Sequence, residues 1–194
     1  MPIPALLLTG GASRRMGSPK ALLEVDGVAS AQRAADLLKR CCSHVIEVGP
    51  GYTDLESVLE SPVGAGPLAA FIAGSSRLDS GTPILLLACD MPEVSEELLY
   101  TLANYPTEQP PEKCVIPIAD GQLQTLCARY SATARSLAPT VWESGARSLR
   151  SLLEQCDVEM LDESTWGSHA TSFAFNDLDT PEDLQAYLER RGRA

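Results

Sequence analysis

The sequence predicts an α/β domain of three layers, with a mostly parallel sheet and one antiparallel insertion. Three observations carry this reading. Continuous apolar runs, Ala5–Leu8 and Ile84–Ala88, have the character of strands covered on both faces. They alternate with segments of helical period, of which Val28–Cys42 is the clearest. Asp120-Gly121, a strong hairpin signal, lies between Cys114–Ala119 and Leu123–Tyr130 and marks the antiparallel insertion. No repeat, low-complexity tract or linker divides the 194 residues, so 1–194 is read as a single domain.

Taken in order, Ala5–Leu8 is a strand that runs out into glycines. In Val28–Cys42 the residues Val28, Ala31, Ala34, Ala35, Leu38 and Cys41 form one apolar stripe, with Arg33, Asp36 and Lys39 outside it. His44–Val48 reads as the second strand. Pro67 opens a helix at its first turn, with Leu68, Phe71, Ile72 and Ser75 on one face. Ile84–Ala88 is the next strand, and Ser95–Tyr105 is a helix with Glu96 and Glu97 where the dipole favours them. Pro117 argues that its strand is an edge or carries a bulge. Helices are expected at Ala132–Trp142, interrupted by Pro139, and at Ala146–Cys156. Short strands follow near Val158–Leu161 and Ser172–Phe175. Thr180-Pro181-Glu182-Asp183 begins the last helix as a capping box with proline first.

Composition excludes several function classes. A net charge of −11 and a pI near 4.6 leave no general basic field for nucleic acid. The longest apolar run, Pro83–Cys89, is far short of the roughly 20 residues that cross a bilayer. The N-terminus lacks the basic region of a signal peptide. Six cysteines without a C-x-x-C, and two isolated histidines, point to reduced thiols in a cytoplasmic protein rather than to disulfides or zinc. Against this acidic background residues 1–23 hold Arg14, Arg15 and Lys20 and no acid. A basic island on an acidic chain suits an enzyme that draws a polyanion to one place.

That island is a glycine-rich loop, Leu8-Thr9-Gly10-Gly11-Ala12-Ser13-Arg14-Arg15-Met16-Gly17-Ser18-Pro19-Lys20. Glycines let backbone approach phosphate closely, and successive amides in such a loop form an anion-binding concavity. The spacing is neither Walker A nor G-x-G-x-x-G, which removes the P-loop kinase and dehydrogenase readings. Asp90 lies just past the carboxyl end of Ile84–Ala88, where open α/β sheets place their ligands, and a carboxylate there suits Mg²⁺. Asp177 and Asp179 are candidates for a second metal-holding acid, or else merely lead into the Thr180 helix cap.

The loop resembles the signature of the molybdenum cofactor guanylyltransferases of the MobA-like NTP transferase family. Further segments are similar to that family: Gly66-Pro67-Leu68-Ala69, Ala88-Cys89-Asp90-Met91-Pro92, Gly145-Ala146-Arg147-Ser148-Leu149 and Leu178–Leu184. Leu8-Thr9-Gly10-Gly11 is nearer the guanine form Leu-Ala-Gly-Gly than the cytosine form Thr-Ala-Ala-Gly, with threonine in place of alanine. Gly49-Pro50-Gly51 replaces an expected asparagine, and Glu60 is the acid nearest to where the family has a nucleotide-contacting aspartate.

The resemblance implies a Rossmann-like nucleotidyltransferase fold and Mg²⁺-dependent transfer of GMP from GTP to molybdenum-molybdopterin, giving the guanine dinucleotide cofactor and pyrophosphate. It implies catalytic roles for Arg15, Lys20 and Asp90. Nucleotide contacts are expected at Leu8, Thr9, Gly10, Gly11, Ser13, Lys20, Glu60 and Asp90, metal contacts at Asp90, Asp177 and Asp179, and contacts to the molybdopterin acceptor at Gln124 and Arg147. Residues 128–153 form a second basic cluster, Arg129, Arg135, Arg147 and Arg150 against only Glu143, in which Arg135 and Arg150 are read as a solvated helix face. The acidic exterior is compatible with handover of the product to molybdoenzyme maturation proteins. The rival readings are a molybdopterin cytidylyltransferase, a sugar-1-phosphate nucleotidyltransferase and a nucleotide-binding sensor without catalysis. The lack of Thr-Ala-Ala-Gly, the lack of a sugar-binding extension and the joint presence of Lys20 and Asp90 weigh against them in turn.

Overall fold

The computed structural model describes residues 2–10, 19–25, 27–106, 113–171 and 173–192. Its strands are β1 (Ala5–Leu8), β2 (Glu24–Val25), β3 (Val28–Ala29), β4 (Val45–Val48), β5 (Glu56–Val58), β6 (Ile84–Ala88), β7 (Cys114–Ala119), β8 (Gln122–Leu123), β9 (Cys127–Tyr130) and β10 (Val158–Leu161). The helices are α1 (Ser30–Cys41), α2 (Pro67–Ser75), α3 (Glu96–Asn104), α4 (Ala132–Glu143), α5 (Leu149–Leu153), α6 (Glu163–Trp166) and α7 (Pro181–Arg191), with a 3-10 turn at Lys20–Leu22.

The main sheet runs β10-β7-β9-β6-β1-β4-β5, and β8 pairs with the far end of β7. β1 is parallel to β4 and β6, β4 to β5, and β10 to β7, whereas β9 is antiparallel to both of its neighbours. The continuous apolar runs occupy the centre because helices cover both faces there. Ala5 and Leu7 pack with α1 and α3, and Leu6 and Leu8 pack with α2, α4 and α5. Leu6 and Leu7 are completely buried, and burial of such a side chain contributes about 1.5–3 kcal/mol. A small antiparallel ribbon of β2 and β3 lies apart from this sheet, with Val25 packed against Leu178 and Tyr187.

Several elements differ from expectation for identifiable reasons. Val28 and Ala29 pair as β3, so the predicted helix begins at Ser30. The predicted strand Leu123–Tyr130 is split, because residues 124–126 leave the ladder and Leu126 and Gln124 bond elsewhere. Pro117 lies in an internal strand, where β9 has already diverged. β7 pairs with β9 only at Val115, and the Pro117 carbonyl accepts from Gln124 N at 2.9 Å. Pro139 does not interrupt α4. The helix expected over Ala146–Cys156 is confined to α5, capped by Ser148. No strand forms at 173–175, which is a turn; Ser172 is outside the described residues. The Asp120-Gly121 hairpin is present, with both residues at positive φ, 49° and 71°, as a two-residue hairpin loop of the primed type demands. The Thr180 capping box is present too, closed by the Asp183 side chain.

Helix α2 rests directly on the central strands at Gly74. A Cβ there would lie 2.7 Å from both Leu6 Cδ2 and Val48 Cγ2. Alanine gains about 1 kcal/mol of helix propensity over glycine, but overpacking a tight core costs about 1–3 kcal/mol. Both neighbours are buried at the sheet centre, so the clash dominates. Gly74→Ala is expected to lower the urea midpoint, with a net loss of up to about 2 kcal/mol; a midpoint at or above wild type would show that α2 has room to lift.

Candidate active site at the strand ends

Register decides where the site lies. Leu8 is level with Val48 and Ala88, and Val48 with Val58, so β1, β4, β5 and β6 end on one rung. The segments that follow emerge together: Thr9-Gly10, Gly49-Pro50, Leu59-Glu60 and Cys89-Asp90. The chain winds outward from β1 to β4 and β5 and then returns to β6 on the other side of β1. Ligands bind outside carboxyl ends at such a reversal.

A cavity of ≈ 330 Å³ opens there, with apolar walls from Leu8, Val48, Ala70 and Leu126 and polar groups from Lys20, Glu60 and Asp90. That size and composition suit a small-molecule site. A second depression of ≈ 370 Å³ lies against α1 beside Arg33 and Met91, without Lys20, Glu60 or Asp90 in its wall. The N-terminus of α2 also faces the first cavity through Gly66 and Pro67. Gly66, at φ 100°, turns the chain into the helix in a conformation costly for any other residue.

Lys20 and three carboxylates form the charged part of the site. Lys20 Nζ donates to Asp179 Oδ1 and, at 3.4 Å, to Asp90 Oδ2. Burial alone would lower the ammonium's pKa, but the bond to Asp179 and the charge of Asp90 outweigh it and hold it above the ordinary value. Asp90 is raised, chiefly by burial and further by Asp177, with Lys20 opposing. Its Oδ1 is buried and has no hydrogen-bond partner.

Asp177 and Asp179 arrive from the far end of the chain because Leu178 N donates to the Asp90 carbonyl at 2.9 Å. Carboxylate oxygens of Asp90, Asp177 and Asp179 lie within 4.8 Å of one another. Thr180 and Asp183 perform the helix capping, which leaves the Asp179 carboxylate to face Lys20. An all-oxygen donor set with a buried, unpartnered carboxylate oxygen fits a hard divalent cation.

Glu60 is 7% exposed, accepts from Gly64 N at 2.8 Å through Oε1, and stands with both carboxylate oxygens 3.9 Å from where Gly10 would carry a Cβ. Thr9 lines the cavity, and its hydroxyl donates to Glu47 Oε1 at 2.6 Å. The amides of Thr9 and Gly10 both donate to Val48 O. Any phosphate cradle made of loop amides therefore begins beyond Gly10. Gly11, Ser13 and Arg15 lie outside the described residues.

Two expected acceptor contacts are engaged elsewhere. The Gln124 amide bonds to the Gln122 carbonyl at 3.2 Å, within its own hairpin. The Arg147 guanidinium donates to the carbonyls of Trp142 and Ala146 and stacks 3.8 Å above the Trp142 ring. Arg135, expected on a solvated face, is buried instead. It donates to the carbonyls of Ser75, Leu78, Asp79 and Thr82 and closes the end of α2. Arg129 is likewise buried, donating to the carbonyls of Ala103 in the last turn of α3 and of Tyr105 just after it.

Glu47 is the residue that sequence patterning overlooked. Its signal was a lone acid inside an apolar strand, where an unpaired charge would be costly. It is 0% exposed and accepts five hydrogen bonds, from Thr9 Oγ1, Gly51 N, Tyr52 N, Thr53 N and Thr53 Oγ1. Burial would raise its pKa, but the hydroxyls of Thr53 and Thr9 and the amides of Tyr52 and Thr53 prevail and hold it below the ordinary value.

The MobA-like NTP transferase domain matches residues 5–161. A protein of Chloroflexus aggregans described as "Probable molybdenum cofactor guanylyltransferase" is 30% identical over 97% of this chain and 96% of its own length. One of the same description from Nostoc sp. is 31% identical over 94% and 88%. The crystal structure of molybdopterin-guanine dinucleotide biosynthesis protein A from Archaeoglobus fulgidus superposes with a TM-score of 0.82 at 21% identity, covering 99% of this chain and 100% of that one. A 4-diphosphocytidyl-2C-methyl-D-erythritol synthase from Anaerococcus prevotii shares the fold at a TM-score of 0.69 and 17% identity. Among the described residues no helix is long and apolar enough to cross a membrane.

Because the folded-state pKa of Glu47 lies below that of an unfolded glutamate, about 4.3, its stabilisation is complete above that pH and is lost as pH falls through the folded value. Glu47→Gln is therefore expected to cost about 1.5–3 kcal/mol at pH 7, with the gap to wild type closing as denaturant melts are repeated down to about pH 3. A gap that does not change with pH would show that the carboxylate charge is not what stabilises the loop.

Proposed function

The chain belongs to the MobA-like NTP transferase family, and from that premise we propose that it transfers GMP from GTP to a molybdenum-molybdopterin acceptor, releasing pyrophosphate. One observation carries the reading. A single cavity at the strand ends is lined by an acidic group suited to guanine, Glu60, and by a lysine–carboxylate pair suited to phosphate and metal, Lys20 and Asp90, to which Asp179 is joined through Lys20. β4 and β1 lie between the two in the sheet, which leaves room for an extended nucleotide.

Guanine presents adjacent donors, N1–H and the N2 amine. The Glu60 carboxylate accepts both and would repel the N3 and O2 acceptors of cytosine. An oxygen of the acceptor's terminal phosphate, already ionised, attacks the α-phosphorus of GTP. The new phosphoanhydride bond forms as the bond to the β-phosphate's bridging oxygen breaks, and the electron pair leaves with pyrophosphate. No protein nucleophile is needed, so the chain's part is positioning and charge stabilisation.

Lys20 exchanges a carboxylate partner for a phosphate oxygen. The N-terminus of α2 favours anionic charge at the cavity mouth. Asp90, with Asp177 and Asp179, would hold Mg²⁺, which when bound neutralises charge on the α-phosphate and the leaving group. Arg15 and Ser13 are assigned to the triphosphate by resemblance. Gln124 and Arg147 would reach an acceptor only by leaving their present hairpin and helix-cap bonds.

Pyrophosphate release measured with Mg²⁺, molybdopterin acceptor and each of the four nucleotides tests the reading. GTP alone should support turnover, and dominance by CTP would replace it with the cytidylyltransferase. Lys20→Ala should lower kcat about 100-fold or more, because it removes a positioned charge from the transition state, while the melting temperature moves by only a few degrees. Wild-type turnover in a folded Lys20→Ala protein would remove Lys20 from the chemistry. Glu60→Gln supplies one donor and one acceptor, matching xanthine instead of guanine. It is expected to lose GTP turnover about tenfold or more and to gain turnover with xanthosine triphosphate. Unaltered preference for GTP would place base recognition elsewhere.

A further inference from the structure

We propose that Glu47 is a positioning residue for the nucleotide subsite, acting through Thr9 and the loop 49–53 on the wall that faces the base. This rests on the guanylyltransferase reading and extends it to a residue that never touches substrate. Glu47 is absent from the cavity wall, whereas Thr9 and Gly10 form part of it.

The geometry is a clamp from three sides. Glu47 Oε1 takes the Thr9 hydroxyl at 2.6 Å together with the amides of Gly51 and Tyr52, and Oε2 takes the amide and hydroxyl of Thr53. Val48 O takes the amides of Thr9 and Gly10 at 3.1 and 3.3 Å. Gly49 packs so closely on this corner that a Cβ would overlap Thr9 Oγ1 and lie 3.0 Å from Gly10 N.

Gly10 is thereby set between two carboxylates, Glu47 behind it through Thr9 and Glu60 in front. Its own backbone packs against Glu60, whose carboxylate oxygens lie 3.9 Å from its Cβ position. A shift of Thr9 carries Gly10 with it and changes the space in which Glu60 meets a base. Such a shift must break a charge-assisted hydrogen bond in a buried site, the kind that is strong and expensive to lose. The threonine that stands where the resembling loop has alanine is the residue that supplies the hydroxyl. Its partner Glu47 is the penultimate residue of the neighbouring strand β4, close to where the expected asparagine is replaced by Gly49-Pro50-Gly51. Lys20 bonds to Asp90 and Asp179, whereas Glu47 bonds to Thr9 and the loop 49–53, so the effect is expected on nucleotide binding rather than on the chemical step.

The experiment compares Thr9→Val, Thr9→Ser, Glu47→Gln and the double variant Thr9→Val/Glu47→Gln, by steady-state kinetics and by equilibrium titration of GTP. Thr9→Val and Glu47→Gln are each expected to raise KM and Kd for GTP roughly tenfold to a hundredfold, with kcat at saturation within about threefold of wild type. Thr9→Ser keeps the hydroxyl and should restore near-wild-type KM. The double variant should bind GTP more weakly than wild type by less than the product of the two separate losses, since the two substitutions share the Thr9–Glu47 bond.

The proposal is overturned if Thr9→Val binds GTP as wild type does, if Ser and Val behave alike, if the two single losses multiply in full in the double variant, or if only melting temperature changes. Should Glu47→Gln not fold, the Val and Ser pair at Thr9 decides alone. Failure of the underlying reading shows in wild type, as absence of GTP-dependent pyrophosphate release. The same titrations are then run with whichever nucleotide wild type binds, and wild type binding none overturns both.

Discussion

In-register parallel pairing of β5, β4, β1 and β6 is the constraint from which the rest of the site follows. Hydrogen-bond register between parallel strands is set by side-chain packing on both faces, and here both faces are apolar cores. A slip of one residue in β1 would send Leu6 and Leu7 to opposite cores and separate Thr9 from Glu47. Because the strands end together, four loops that are distant in sequence open onto one cavity. Glu60 and Asp90, thirty positions apart, become polar groups of the same wall.

Charge is distributed through the structure by what can satisfy it. Buried cations sit where main-chain carbonyls converge: Arg135 at the end of α2 and Arg129 at the end of α3. The buried anion Glu47 sits where amides and hydroxyls converge. Both satisfy groups that would otherwise be orphaned away from water. The cluster of Lys20, Asp90, Asp177 and Asp179 is different in kind. It carries one cation against three carboxylates and leaves a buried Asp90 oxygen without a partner. That imbalance distinguishes a site prepared for a ligand from a network complete in itself.

Much of this was legible residue by residue. The apolar runs Ala5–Leu8 and Ile84–Ala88 announced central strands, Asp120-Gly121 announced the hairpin, and Thr180 with Asp183 announced the last helix. The candidate site at the ends of β1 and β6 was legible from the glycine loop and from Asp90 after its strand. Expectation failed where distant partners outweighed local pattern. Ser172–Phe175 had the composition of a strand but turns at 173–175, where Phe175 packs edge-on against Trp166. Arg135 had the spacing of a solvated helix face but fills the end of another helix.

The sequence by itself determined the class of fold and pointed to a candidate site at the strand ends with Lys20 and Asp90, because apolar periodicity and glycine chemistry are local properties. Only the tertiary structure decided what each charge does. Lys20 meets Asp179 across 159 positions, and Thr9 meets Glu47 across 38. Such pairings depend on strand order and on the Leu178 amide reaching the Asp90 carbonyl. No local pattern encodes them, since their stability comes from burial that exists only once the sheet has closed its two faces.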